Sequence, residues 1–185
     1  MAFQERVVTR HEFEQMLQRY PDRRLERING ELSEKMPSAL HAFIVNMLAH
    51  FITSYLLQHP IGYSLVEARY GLPDDDANDR IPDLSFITPE KFDPASTGPL
   101  PSMPDLAVEV QSPGQSDRFM TDKAAYYLAH GSRMVWLIYP SRQLVEVLTP
   151  DERHLLTADA QIDGGAVLPG LQIPIQRIFP PETQG

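Results

Sequence analysis

A chain of 185 residues with 42% hydrophobic and 22% charged side chains has the ordinary composition of a soluble globular protein, and one domain spanning 1–185 with a real core is expected. It contains no cysteine, which excludes disulfides and thiolate metal sites and leaves carboxylate, imidazole or carbonyl ligands, a set that favours hard ions such as Mg²⁺ or Mn²⁺. The formal net charge of −9 argues against nucleic-acid binding through a broad basic surface, so any such binding needs a local basic patch or the metal itself.

Thr9 and Glu12 in TRHEFEQMLQRYP have capping-box spacing and predict a first helix that Pro21 stops. RRLERINGELSEKMP reads as two short strands joined at Asn29-Gly30, a strong hairpin signal. SALHAFIVNMLAHFITSYLLQHP predicts a long amphipathic helix with Ser38 as N-cap and Pro60 after its end. GYSLVEARYGL alternates as a strand, and PDDDAND is an acidic loop lacking the Gly and terminal Glu of an EF-hand. A short strand runs from Pro82 to Ile87, followed by a Pro/Gly/Ser-rich loop. DLAVEVQ is a further strand, and Ser116 caps a helix that ends at Gly131. RMVWLIYP, QLVEVLTP and RHLLTAD read as three antiparallel strands, with Trp136 in the core. The proline-rich tail VLPGLQIPIQRIFPP is expected to wrap the sheet edge. There is no internal repeat, and the order of elements predicts a mixed β-sheet flanked by helices in an α/β (α+β) domain. The N-terminus lacks the apolar core of a signal peptide, and no apolar run approaches bilayer-spanning length. A cytoplasmic protein without a membrane partner is expected.

The chemistry concentrates where the apolar pattern is broken. In DLAVEVQ, Leu106, Val108 and Val110 share one face, while Glu109 and Gln111 lie on the other with Ala107. A carboxylate inside such a strand is costly unless compensated. Asp83 sits in the preceding strand, so if the two strands are neighbours, two carboxylates and an amide converge. Close carboxylates force protonation or bind a cation, and Mg²⁺ or Mn²⁺ suits their oxygens. On a helical wheel of ~100° per residue, Lys123 falls between Phe119 and Tyr127, with Arg118, Thr121 and Asp122 opposite. A lysine on a buried face needs a partner, and the carboxylate cluster on the adjacent strand is the obvious one, so Glu109 is balanced by a metal, by Lys123, or by both.

An Asp, a Glu-x-(Lys/Gln) pair and a basic helix residue form the layout of the PD-(D/E)xK nucleases, with Pro82-Asp83 as the PD. ERINGEL, the helix carrying His41, RIPDLSFI, PDLAVEVQSPGQS, DKAAYYLAHGSRMVWLIYP and LPGLQIPIQRIF resemble more specifically the Uma2 (DUF820) family, in family order over residues 9 to 180. That resemblance implies a restriction-endonuclease-like core in which a helix lysine, here Lys123, replaces the lysine of ExK, where Gln111 stands. It also implies Glu31 of NGEL as a further metal-side carboxylate. The implied activity is Mg²⁺- or Mn²⁺-assisted phosphodiester hydrolysis, with DNA as partner and a homodimer as the working form. Asp83 and Glu109 would hold metal. Lys123 would orient a water or neutralise phosphate charge, and Gln111 would coordinate or hold a water. Glu31 would bind a second ion or align a ligand.

Plainer roles stand beside these. Asp83 can terminate a strand, Glu109 can sit in a structural ion pair, and Lys123 can snorkel. Gln111 and Glu31 can be ordinary strand-end and turn residues. Two functional alternatives follow: a catalytically inactive nucleic-acid- or protein-binding module of the same fold, and a metal-free domain in which Lys123 and Glu109 simply pair.

Overall fold

The structure is a computed structural model describing residues 7–181. Helix α1, Arg10–Arg19, starts with the expected capping box, the Thr9 hydroxyl accepting from the Glu12 N–H and the Glu12 carboxylate reaching back to Thr9. Strands β1 (Leu25–Ile28) and β2 (Glu31–Glu34) form a hairpin with Ile28 opposite Glu31. Asn29 and Gly30 have φ of 52° and 80°, the doubly left-handed pair that a two-residue hairpin turn requires.

Helix α2, Ala39–Gln58, is capped by Ser38. Six strands then build one sheet in the order β3 (Tyr63–Val66), β4 (Leu84–Ile87), β5 (Leu106–Val110), β6 (Met134–Tyr139), β7 (Leu144–Leu148) and β8 (Arg153–Leu156). All neighbours are antiparallel except β5 and β6, whose parallel pairing requires the crossover supplied by helix α3, Asp117–Ala129. This is the mixed sheet expected. β3 is shorter than its alternating sequence suggests, because Glu67 enters the left-handed region at φ 51° and ends the ladder.

The two sheet faces are covered by different elements. On one, Ile44, Leu48, Ile52 and Leu56 of α2, spaced four apart, pack on Leu84, Val108, Trp136 and their neighbours. By length and mean hydropathy of 1.5, α2 would suffice to cross a bilayer, contrary to the reading of apolar run lengths. Its buried stripe lies on the sheet. The tail also differs from expectation. Strands β9 (Gln161–Asp163) and β10 (Gln172–Pro174) pair as a small hairpin, and Ile162, Leu168, Ile173 and Ile178 join the α2-side core, so the tail covers a face and not an edge. On the other face, Met120, Ala124 and Tyr127 of α3 pack on Ala107, Val135 and Leu137. The β1–β2 hairpin pairs with neither sheet; it is tied in by the backbone bridge from Arg27 to Asp79 and by the wholly buried Arg27–Asp79 ion pair at 2.6 Å.

Candidate active site

The register of β4 against β5 sets the site. Leu84 faces Val108, and one step outward along the same antiparallel register brings Asp83 beside Glu109. Strand alternation turns Ala107 and Glu109 toward α3 and leaves Leu106, Val108 and Val110 to α2. On α3, Lys123 and Tyr127 lie one turn apart on the buried face, directly over β5. Asp83, Glu109 and Lys123, far apart in sequence, are thereby brought together.

Glu109 is 2% exposed; its Oε1 lies 2.7 Å from Lys123 Nζ and accepts a hydrogen bond from the Tyr127 hydroxyl at 2.7 Å. Lys123 Nζ also lies 3.0 Å from Glu26 Oε1, on the hairpin strand β1. Lys35, just past β2, donates to Asp83 Oδ1 at 2.8 Å and to the Ile81 carbonyl, and lies 3.7 Å from Glu109 Oε2. Asp83 Oδ2 accepts from the Val110 N–H at 2.7 Å, with His41 Nε2 at 3.1 Å. The result is three buried carboxylates, Glu26, Asp83 and Glu109, interleaved with two ammonium groups.

Three carboxylates stand against two lysines, with His41 on Asp83 and the Arg80 guanidinium acting on Glu26 from further off, and the three respond differently. Burial alone would raise the Asp83 pKa, but Lys35 and His41 more than offset it and hold the group well below the usual range. Glu26, similarly buried, is also lowered, chiefly by Lys123 and Lys35. Glu109 goes the other way: burial, with Asp83 and Glu26 nearby, outweighs the two lysines and raises its pKa. Among the three, Glu109 therefore holds a proton most readily. Burial and the Glu109 charge push the Tyr127 hydroxyl well above its ordinary value, so Tyr127 acts as a donor. Lys35 is raised as well, because Glu109, Asp83 and Glu26 overcome its desolvation.

Two predicted site residues are placed elsewhere. The Gln111 amide donates to the Gln115 carbonyl and to Asp117 Oδ1, each at 3.0 Å, because the chain leaves the strand after Val110 and turns through Ser112–Gln115. Glu31 is exposed at the start of β2, on the wall of a cavity that also reaches Lys123; the hairpin carboxylate that enters the cluster is Glu26. Glu26, Lys35 and Tyr127 carry no role in the sequence reading. Tyr127 was findable, standing four residues after Lys123 on the same helix face. His41, for which the sequence offered no chemistry, contacts Asp83.

The cluster has two approaches. Asp83 and His41 line a cavity of about 260 Å³ between α2 and Val66. Lys123 lines another of about 620 Å³ between the hairpin and α3, with Arg80, Phe119 and Tyr126.

Comparison with known proteins bears on this arrangement. No curated protein matches the chain. Among solved structures, the crystal structure of a putative nuclease belonging to DUF820 from Anabaena variabilis ATCC 29413 superimposes with a TM-score of 0.73 at 26% identity, covering 84% of this chain and 89% of that one. The Uma2 family, described as putative restriction endonuclease, matches residues 10–176, which include both lysines and all three buried carboxylates of the cluster. The chain belongs to the Uma2 family and has its nuclease-like fold.

Proposed function

We propose that this chain is a metal-dependent nuclease hydrolysing phosphodiester bonds of DNA, using Mg²⁺ or Mn²⁺ and working as a homodimer. The observation that carries the reading is the side-by-side burial of Asp83 and Glu109 at the end of β4 and β5, with Lys123 against one of them. Their oxygens are the hard donors such ions take. The two carboxylates already attract positive charge, since Lys35 Nζ lies within 3.7 Å of both. Among the described residues, no group of three or more His, Asp or Glu side chains stands ready-made as a cage, so an ion at Asp83 and Glu109 must take over from that ammonium.

When bound, the ion supplies a water of lowered pKa and polarises a phosphoryl oxygen. The protein's own groups do the rest. Asp83 is held in one orientation by the Val110 N–H and His41. Glu109 is fixed by Tyr127 and Lys123. Lys123 lines the larger cavity, where its charge would offset that of a phosphate in the transition state. Glu26 keeps Lys123 aligned from the far side, and Glu31, on the wall of the same cavity, would bind a second ion or align a ligand. Two sites related by a two-fold axis suit the cutting of two strands.

A calorimetric Mn²⁺ titration of the wild type beside Asp83→Asn and Glu109→Gln tests this, followed by supercoiled-plasmid cleavage and sedimentation of the complex. Binding lost in both variants together with Mn²⁺-dependent nicking supports the nuclease. The rival reading, a metal-free ion-paired cluster, is favoured by the seat of Lys35 between the two carboxylates. It predicts no uptake of Mn²⁺ at all.

A further inference from the structure

The structure contains two buried arginines with opposite circumstances. Arg27 is saturated: it donates to Asp79, to the Val8 carbonyl and to the Asp76 carbonyl. Arg80 is 2% exposed, forms no salt bridge among the described residues, and has no hydrogen-bond acceptor for Nε or Nη1. A guanidinium removed from water without an anion is expensive. What it has is an aromatic face, its central carbon standing 4.0 Å over the Tyr126 ring.

Its position is fixed. The Arg80 backbone exchanges two hydrogen bonds of 2.8 Å with Tyr70, so the residue is anchored at both N–H and C=O. The side chain borders the cavity of about 620 Å³ that Lys123 also lines, a volume in the range of small-ligand sites. Lys123 is already matched by Glu26 and Glu109, whereas Arg80 feels Glu26 only from beyond salt-bridge distance and pairs with no carboxylate among the described residues. Phe119 and Tyr126 form apolar sides, and the exposed carboxylates of Glu31 and Asp122 stand on the same cavity, which limits the anion it takes at Arg80 to one phosphate group.

We propose that Arg80 and Lys123 form a subsite for a single phosphate group, which, resting on the nuclease reading above, is a phosphate of the substrate strand. The guanidinium fork matches phosphate oxygens better than a point charge does. The Tyr126 ring keeps the fork flat and in place before the anion arrives. Arg80 thus positions the strand, while Asp83 and Glu109 lie on the other side of Lys123.

The test is calorimetric titration of inorganic phosphate, and separately of thymidine 5′-monophosphate, into the metal-free full chain. The proteins are the wild type, Arg80→Met, Ala125→Glu and Arg133→Met. Ala125 is an exposed α3 residue on the same cavity, so a glutamate there suits the helix and offers Arg80 a competing carboxylate. Wild type and the remote, exposed Arg133→Met should bind alike, and Arg80→Met and Ala125→Glu should each bind at least tenfold more weakly. If Arg80→Met fails to fold, Ala125→Glu decides. A wild type that takes up neither anion, or folded variants that bind as the wild type does, overturns the subsite. Arg80-dependent phosphate uptake with no plasmid nicking under Mn²⁺ keeps the subsite and removes the nuclease. Nicking by Arg80→Met with unchanged KM keeps the nuclease and removes the subsite.

Discussion

Replacing Lys35 with methionine keeps the apolar stem and deletes only the charge that separates Asp83 from Glu109. At an effective dielectric of about 20, an ammonium 2.8 Å from one carboxylate and 3.7 Å from another gains about 6 and about 4.5 kcal/mol of attraction. Several kcal/mol of that is offset by the cost of taking the ammonium out of water, and removing one partner of such a buried pair costs about 3–5 kcal/mol net. For a domain of this size that lowers Tm by about 6–20 °C. The loss depends on pH. Without Lys35 the folded pKa of Glu109, already raised, rises further, and a raised carboxylate contributes stability below its unfolded value that disappears as pH climbs through the folded one. The variant should therefore be much weaker than the wild type at pH 8 and closer to it at pH 5. Mn²⁺ at about a hundred times its Kd should return about 2.7 kcal/mol to the variant, and less to the wild type, where the ion must displace the lysine. Near-ultraviolet dichroism of the buried Trp136 follows the melt. A Lys35→Met protein within about 1 kcal/mol of wild type at pH 8, or equally destabilised at both pH values, refutes the claim that Lys35 holds the two carboxylates.

Tyr127→Phe removes the donor to Glu109 and should cost about 1.5–3 kcal/mol in urea unfolding, with the Glu109 pKa, read by carboxyl NMR, moving further up; an unchanged titration contradicts the assigned hydrogen bond. The depressed Asp83 pKa contributes stability that is fully present above its unfolded value of about 4 and is lost as pH falls below it, so wild-type stability should drop on acidification from about pH 5, and Asp83→Asn should flatten that limb. Arg27→Met should cost about 3–5 kcal/mol because it leaves buried Asp79 with only the more distant Arg10, while the double variant with Asp79→Leu recovers most of the loss; additivity in the cycle would show that the pair is not coupled.

Much of the site is legible in the sequence because the relevant signals are local. Glu109 interrupts an apolar strand face, Asp83 follows a strand-starting proline, and Lys123 sits among aromatics on a helical wheel; each is a violation of burial rules visible within a dozen residues. What joins them to the hairpin is not local. Glu26 and Lys35 arrive through the bridge of Arg27 to Asp79, across 52 residues, and no short-range pattern encodes it. Gln111 is misplaced by alternation for the opposite reason: the period of two holds only while the chain stays in the strand, and the ladder ends at Val110. The tail's prolines correctly exclude a central strand but say nothing of the isoleucines between them, which the α2-side core takes up.

Among the described residues the β1–β2 hairpin hydrogen-bonds to itself, to Val8 and to the 76–81 segment but does not join the ladder of the six-stranded sheet. Glu26 and Lys35 ride on it, whereas Asp83, Glu109, Lys123 and Tyr127 ride on the sheet and α3. The charge cluster therefore straddles two structural units, and amide exchange tells whether they separate below the free energy of global unfolding. Opening the hairpin alone would withdraw one carboxylate and one ammonium together, a change of no net charge that leaves Asp83, Glu109 and Lys123 facing water. Amide exchange in Leu25–Glu34 then measures how often the centre is uncovered, and its rate relative to β5 sets how often that happens without loss of the fold.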